Sequence, residues 1–191
     1  VLVAAGYNEY AISETQKYGH VTYFWNGNRS GKFSEEYETY VEVPSDVVPF
    51  EQRPWMKCAE ITDKLIEALE SGKYDCIRVN FPNGDMVGHT GSLEATICSM
   101  EALDLQLGRI LPVVDKVGGV AIITADHGNA DCMVDKDGGP FTAHTTNPVP
   151  FVVIGKDCKL HPGRLADIAP TMLEVLGIDK PAEITGTSLF E

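Results

Sequence analysis

Apolar segments of strand length alternate along the chain with stretches in which hydrophobic residues recur at helical spacing. Residues 120–124 form a continuous β-branched and aliphatic run, typical of a strand buried in a parallel sheet. This alternation predicts an α/β fold with a mainly parallel sheet and helices on both of its faces. The predicted strands are 21–25, 74–81, 120–124 and 149–154; the predicted helices are 59–70, a long helix capped by Ser92, and 165–176, which Gly177 closes.

The length and composition limit the classes of protein that this chain can represent. Its 191 residues fit one domain, with no segment that resembles an interdomain linker. A net charge of −13 argues against nucleic acids and anionic membranes as partners. No apolar run approaches the roughly 20 residues that cross a bilayer, and we expect no secretory signal. The five cysteines form no CxxC pair, which favours reduced thiols and a cytoplasmic location.

Acidic residues and histidines follow two of the predicted strands. Asp85 and His89 come after the strand at 74–81, and their spacing of four places them on one side of a helical turn. In an open α/β sheet, ligand sites gather at the carboxyl ends of the strands. We therefore expect these two side chains to lie at a ligand-binding edge of the sheet.

A second pair and one further histidine fit the same edge. Asp126 and His127 directly follow the strand at 120–124, and a turn at Gly128 would let both side chains converge on one ion. His144 lies in a loop before the next strand and could return to this edge. Carboxylate oxygen and imidazole nitrogen in this mixture suit divalent ions of the zinc and manganese kind. Together the five residues predict a two-metal centre.

Each motif alone has a simpler explanation, which stays open at this point. An aspartate and a histidine four residues apart are usually a solvated helix surface, and an adjacent pair is more often a turn or a cap. The alternative to a metal centre is therefore a set of capping aspartates and loop histidines. His20 and His161 lack comparable surroundings and are predicted to be structural.

At these motifs, and along most of its length, the chain resembles a known family. The resemblance is to the C-terminal part of the cofactor-independent (2,3-bisphosphoglycerate-independent) phosphoglycerate mutases, in the alkaline phosphatase superfamily. The central segment is the specific match, because the wider superfamily shares only the metal motifs. The matching segments are 12–18, 20–27, 79–91, 124–130 and 165–173.

The resemblance implies a metal ligand set and two bound ions. Asp85, His89 and His144 would hold one Mn²⁺, and Asp126 and His127 would hold a second. Mg²⁺, Co²⁺ and Zn²⁺ are the alternatives, because affinity order and cellular supply both decide which metal binds.

The resemblance also implies a reaction and a role for Lys17. Lys17 would contact the phosphoryl group as a catalytic residue. The parent enzyme, an isomerase of glycolysis and gluconeogenesis, would interconvert 3-phosphoglycerate and 2-phosphoglycerate through a phosphoserine intermediate.

The chain lacks two parts that the family pattern includes. One is the segment with the nucleophilic serine and a further aspartate ligand, and the other is an inserted domain that binds phosphoglycerate. We therefore expect residues 1–191 to be the C-terminal portion of the metal-binding phosphatase-type domain. The N-terminal part of the same polypeptide would be its partner, and this chain alone would be inactive. The alternatives are another phosphomutase or phosphohydrolase of the superfamily, and a non-catalytic metal-binding module.

Overall fold

A parallel three-stranded sheet lies at the centre of the computed structural model, which describes residues 1–191. β1 (Glu9–Glu14) is the middle strand, with β2 (Glu38–Val43) on one side and β3 (Cys76–Val79) on the other. Every residue of β1 is buried, as expected for a central parallel strand covered on both faces. Two further strands, β4 (Ala121–Thr124) and β5 (Phe151–Ile154), pair only with each other and are antiparallel.

Helices flank the sheet, and two long ones form the main helical layer. In α2 (Cys58–Glu70) and α4 (Leu93–Lys116), the buried residues Leu65, Ile110 and Val114 form one cluster, on which residues of β3 and β4 also pack. None of the helices combines the length and hydrophobicity that a membrane span requires. The shorter helices are α1 (Tyr18–Val21), α3 (Asn83–Gly88) and α5 (Ile168–Leu176), and 3₁₀ turns occupy Val3–Ala5, Thr15–Lys17, Phe50–Gln52 and Leu165–Asp167.

The predicted α/β fold with a mainly parallel sheet is confirmed, as are most of its elements. The predicted strands at 74–81, 120–124 and 149–154 contain β3, β4 and β5. Ser92 caps α4, because its hydroxyl oxygen accepts the backbone N–H of Ala95 at 3.3 Å. The final helix begins later than predicted, since its first turn is a 3₁₀ turn, and it ends at Gly177 with φ 68°.

The predicted strand at 21–25 is wrong. α1 ends at Val21, and the chain continues in turns in which the Phe24 N–H donates to the Gly19 carbonyl at 2.9 Å. The Thr22 hydroxyl also donates back to the Tyr18 carbonyl, at 2.8 Å. Aromatic side chains favour strands only when a neighbouring strand or sheet face packs against them. Here local hydrogen bonds prevail, and the aromatic residues of this segment are exposed.

β1 and β2 were not predicted, because β1 carries a glutamate at each end. Both glutamates are buried without disrupting the strand. Glu9 pairs with Arg78, and Glu14 accepts the Ser45 hydroxyl at 2.8 Å and the Lys57 backbone N–H at 2.9 Å. Burial raises the pKa of Glu14, and these two hydrogen bonds only partly offset that effect.

The Arg78 side chain joins the sheet to the turn after α1. Its Nη1 lies 2.5 Å from Glu9 Oε2, and its Nε donates to the Val21 carbonyl at 2.7 Å. The guanidinium also lies 5.1 Å from the centroid of the Trp25 ring. Burial raises the pKa of Glu9, and the charge and hydrogen bond of Arg78 counteract that rise. Arg78 thus links β3 to β1 and to the segment that precedes β2.

We expect Arg78→Met to lower the free energy of unfolding by about 3 kcal/mol, because it leaves the Glu9 carboxylate buried without its partner. The matched control is Arg109→Met, since Arg109 pairs with Asp63 on the surface. Losing that exposed pair should cost less than about 1 kcal/mol. Urea unfolding of both variants gives the comparison, and equal losses would contradict a stabilising role for the buried pair.

Candidate metal centre

The candidate ligands lie in the segments that follow β3 and β4. α3 presents Asp85, and His89 follows one turn later, where its backbone N–H donates to the Asp85 carbonyl at 3.0 Å. Asp126 and His127 come directly after β4, and His144 lies between β4 and β5. β3 and β4 belong to different sheets, so side-chain contacts rather than strand pairing bring these segments together.

Three ligand atoms form a nearly equilateral triangle. Asp85 Oδ1 lies 3.0 Å from His89 Nε2 and 3.0 Å from His144 Nε2, and the two imidazole nitrogens lie 3.1 Å apart. Atoms bound at right angles around one ion, each about 2.1 Å from it, would lie about 3.0 Å apart. Asp85, His89 and His144 therefore fit one face of an octahedral divalent metal site.

The His89 ring is oriented for metal binding by a backbone carbonyl. His89 Nδ1 lies 2.7 Å from the Thr142 carbonyl oxygen, which can only accept, so Nδ1 carries the proton. The lone pair of the neutral ring is then on Nε2, the atom in the triangle. Such a hydrogen bond from the far nitrogen is the usual support of a metal-bound histidine.

The two oxygens of the Asp85 carboxylate have different partners. Lys17 Nζ lies 2.5 Å from Oδ2, and the Asn129 side-chain amide donates to Oδ1 at 3.0 Å. Lys17 comes from the 3₁₀ turn that follows β1, and its side chain is almost fully buried. Burial by itself would raise the pKa of Asp85, but the hydrogen bonds from Lys17 and Asn129 outweigh it and lower the pKa to about 2.

Asp126 and His127 lie beside the triangle without completing a ligand set of their own. The His127 ring stacks on the His144 ring with centroids 3.7 Å apart and an interplanar angle of 20°. His127 Nε2 lies 3.7 Å from Asp126 Oδ1, so these two atoms are close to each other. The two residues offer one nitrogen and one carboxylate, and a second ion there would need more ligands from elsewhere.

Sequence reasoning missed two contributors to this site. The Thr142 carbonyl has no signature in the sequence, because any residue carries one. Asn129 belongs to the same motif as Asp126, and its position near a predicted ligand in the sequence could have identified it. His20 was predicted to be structural; its ring lies against the Phe24 ring with centroids 5.1 Å apart, and it is close enough to Lys17 and Asp126 for their charges to act on it. Burial, followed by the Lys17 charge, lowers the pKa of His20.

Comparison with known proteins places the chain among metalloenzymes. A family profile described as the metalloenzyme superfamily matches residues 1–180. The proteins named 2,3-bisphosphoglycerate-independent phosphoglycerate mutase from Trypanosoma brucei brucei and Acetivibrio thermocellus are each 50% identical to this chain and match 95% and 97% of it. The chain spans only 37% and 36% of the length of these two relatives.

A solved structure shows the same fold. The phosphoglycerate mutase of Leishmania mexicana, crystallised at low cobalt concentration, matches all of this chain with a TM-score of 0.93 and 48% sequence identity. The match covers 38% of that protein. In this relative, the fold of residues 1–191 is therefore one part of a larger protein.

We expect Asp85→Asn to reduce the acid sensitivity of the fold. The pKa of about 2 lies below the ordinary value of 3.8, so the folded chain binds fewer protons at Asp85 than the unfolded chain does. The stabilisation by the ionised carboxylate is thus complete above about pH 4 and is lost as the pH falls toward 2. Urea midpoints measured between pH 5 and pH 2.5 should fall further for the unmodified chain than for the variant. Parallel curves would exclude this contribution.

Proposed function

The chain belongs to the metalloenzyme superfamily, and we propose that it is the C-terminal, metal-binding portion of an alkaline-phosphatase-like domain in a 2,3-bisphosphoglycerate-independent phosphoglycerate mutase. The whole protein would interconvert 3-phosphoglycerate and 2-phosphoglycerate through a phosphoserine, a step of glycolysis and gluconeogenesis. The observation that carries the proposal is the triangle of Asp85, His89 and His144, with ligand atoms 3.0 to 3.1 Å apart. Relatives that bear this name match nearly the whole chain.

In this proposal Asp85, His89 and His144 hold one divalent ion, and Asp126 and His127 contribute to a second. The negative carboxylates would hold the metal ions in the site, and the neutral imidazoles would complete the coordination. Bound divalent ions would lower the pKa of a coordinated hydroxyl and offset negative charge on phosphoryl oxygens. We propose Mn²⁺ for both positions, with Mg²⁺, Co²⁺ and Zn²⁺ as the alternatives.

Lys17 is proposed to contact the phosphoryl group. Its ammonium has three N–H donors, and one of them is directed at Asp85 Oδ2. The other two donors remain for phosphoryl oxygens. The positive charge of the ammonium would stabilise the negative charge that develops on those oxygens during transfer. The ion pair with Asp85 fixes the lysine beside the metal triangle, so that Lys17 and the ions would act on one phosphoryl group.

The proposed partner of this chain is the N-terminal part of the same polypeptide, which would supply the serine and the residues that bind the glycerate. Exposed apolar surface supports this proposal. The residues of β4 are apolar at three of four positions, yet none of them is fully buried. A groove of about 500 Å³ also opens between the N-terminal turn and α5, and most of its lining is hydrophobic, including Val3, Trp25, Met172 and Leu176.

The cytoplasm is the proposed location of the protein. None of the five cysteines forms a disulfide. Reduced thiols are typical of compartments in which glutathione and thioredoxin maintain a reducing environment.

The chain should bind Mn²⁺ at a site that requires Asp85. In calorimetric titrations we expect Asp85→Ala to abolish that binding, and the matched variant Asp137→Ala, in an exposed loop, to leave it unchanged. Binding should weaken from pH 8 to pH 5, because imidazole ligates only when it is neutral. Binding that survives Asp85→Ala, or that does not change over this pH range, would contradict the assignment of the ligands.

The 191-residue chain alone should show no mutase turnover with excess Mn²⁺, since it contains no proposed nucleophile. A chimera tests the function directly: residues 1–191 replace the matching 38% of the Leishmania mexicana enzyme. We expect the chimera to isomerise phosphoglycerate in a metal-dependent reaction. His144→Ala should reduce the rate of the chimera at least about a hundredfold, a loss similar to that caused by removing one group that stabilises charge in a transition state.

The matched control is His161→Ala, because His161 contacts the Ser188 carbonyl away from the metal triangle. The control should keep most of the activity of the chimera. A folded chimera that binds Mn²⁺ but does not isomerise phosphoglycerate would refute the proposed reaction. Turnover by the isolated chain that Lys17→Ala abolishes would show that residues 1–191 contain a nucleophile of their own.

A further inference from the structure

We propose that Asn129 is a positioning residue that holds the Asp85 carboxylate in its metal-binding orientation. The inference rests on the proposed metal centre and adds a residue to it. Asn129 follows Asp126 and His127 in the segment after β4, whereas Asp85 lies on α3. The Asn129 side chain would thus hold the two halves of the centre in register before any ion binds.

The Asn129 amide bonds both to the side chain and to the backbone of Asp85. Its Nδ2 donates to Asp85 Oδ1 at 3.0 Å and to the Asp85 carbonyl at 3.3 Å. These two acceptors use both N–H groups of the amide. Asp85 Oδ1 is also the oxygen that lies 3.0 Å from each imidazole nitrogen of the triangle. Asn129 therefore contacts the very ligand atom that would bind the metal.

The orientation of the amide is determined by its neighbours. Both groups near Asn129 Nδ2 are acceptors, so the reverse orientation would place the amide oxygen against a carboxylate and a carbonyl. In the observed orientation the amide oxygen is buried and has no hydrogen-bond partner. Leaving such an oxygen unpaired costs stability. The residue is only 4% exposed, so its two hydrogen bonds to Asp85 are the polar contacts that its side chain makes.

Gly88 provides the space into which the amide fits. A Cβ atom at position 88 would lie 2.3 Å from Asn129 Oδ1 and 2.9 Å from Asn129 Cγ, distances that no real contact allows. Gly88 is the last residue of α3, so the amide packs against the helix that carries Asp85, at the point where His89 follows. The missing side chain at this position lets the segment after β4 approach α3 closely.

Asn129 and Lys17 together prevent the Asp85 carboxylate from rotating. Lys17 holds Oδ2 at 2.5 Å, while Asn129 holds Oδ1 on the side of the imidazoles. Only Oδ1 is thereby presented to an ion, so Asp85 would bind through one oxygen. Removing the amide would let the carboxylate turn, and the ion would have to order it again on binding. Loss of such an outer contact typically weakens metal affinity 10- to 100-fold.

Metal titration of the 191-residue chain tests the proposal without any measurement of turnover. The variant is Asn129→Ser, whose hydroxyl is too short to reach Oδ1 and whose smaller side chain cannot clash. We expect its Kd for Mn²⁺ to rise about tenfold, and the visible absorption of bound Co²⁺ to change with the altered ligand geometry. Gly88→Ala, which keeps the asparagine but displaces its amide, should change both measurements in the same direction.

The matched control is Asn83→Ser. Like Asn129, Asn83 is buried and has an unpaired amide oxygen, but it is the first residue of α3 and its amide donates to the Trp55 carbonyl at 3.0 Å. This control should lower the melting temperature at least as much as Asn129→Ser but change the Kd by less than about twofold, since it does not contact a ligand.

Equal increases in Kd for the two serine variants would show that the stability of α3, rather than carboxylate placement, sets the affinity, and would overturn the proposal. An unchanged Kd and Co²⁺ spectrum in Asn129→Ser and Gly88→Ala would overturn it as well. Asp85→Asn separates this inference from the proposed function. If that variant binds Mn²⁺ normally, the metal centre itself is wrong; if it does not bind while Asn129→Ser binds with an unchanged Kd, only the role of Asn129 fails.

Discussion

The Asp85 carboxylate connects segments that no strand pairing holds together. Lys17 reaches it from the turn after β1, and Asn129 and His144 reach it from the chain after β4. The geometry of the site therefore depends on polar side-chain contacts that join residues far apart in the sequence.

Buried glutamates at the two ends of β1 anchor the strand that precedes Lys17. Glu9 is balanced by Arg78 from β3, and Glu14 by the Ser45 hydroxyl and the Lys57 N–H from the segment between β2 and α2. A glutamate in the interior is unfavourable unless such partners are present, so it selects one arrangement of the neighbouring segments. Lys17 lies in the 3₁₀ turn that directly follows Glu14, and its own ion pair with Asp85 joins this turn to the site.

The sequence predicted the elements whose signal is local and missed those whose partners are distant. β3, β4 and α2 follow from apolar runs and helical spacing within a few residues. β1 reads as Glu-Tyr-Ala-Ile-Ser-Glu, and only the pairing with Arg78, 69 residues away, makes its first glutamate compatible with a buried strand. The strand predicted at 21–25 is wrong because its aromatic and β-branched residues are typical of strands, whereas its hydrogen bonds are those of a turn. The candidate ligands were found because strand ends and residue types are visible in the sequence, whereas the Thr142 carbonyl is not.

Asp85, His89 and His144 form a triangle of ligand atoms, whereas Asp126 and His127 form only a pair. The position of β4 in a separate sheet helps to explain this difference. Asp85, His89 and His144 are joined to one another and to the Thr142 carbonyl by contacts that lie entirely within residues 1–191. Asp126 and His127 follow β4, a strand whose residues are only partly buried and which pairs with β5 alone. A segment that covered β4 would also approach the residues that follow it. Burial of this apolar strand would then be coupled to contacts with Asp126 and His127.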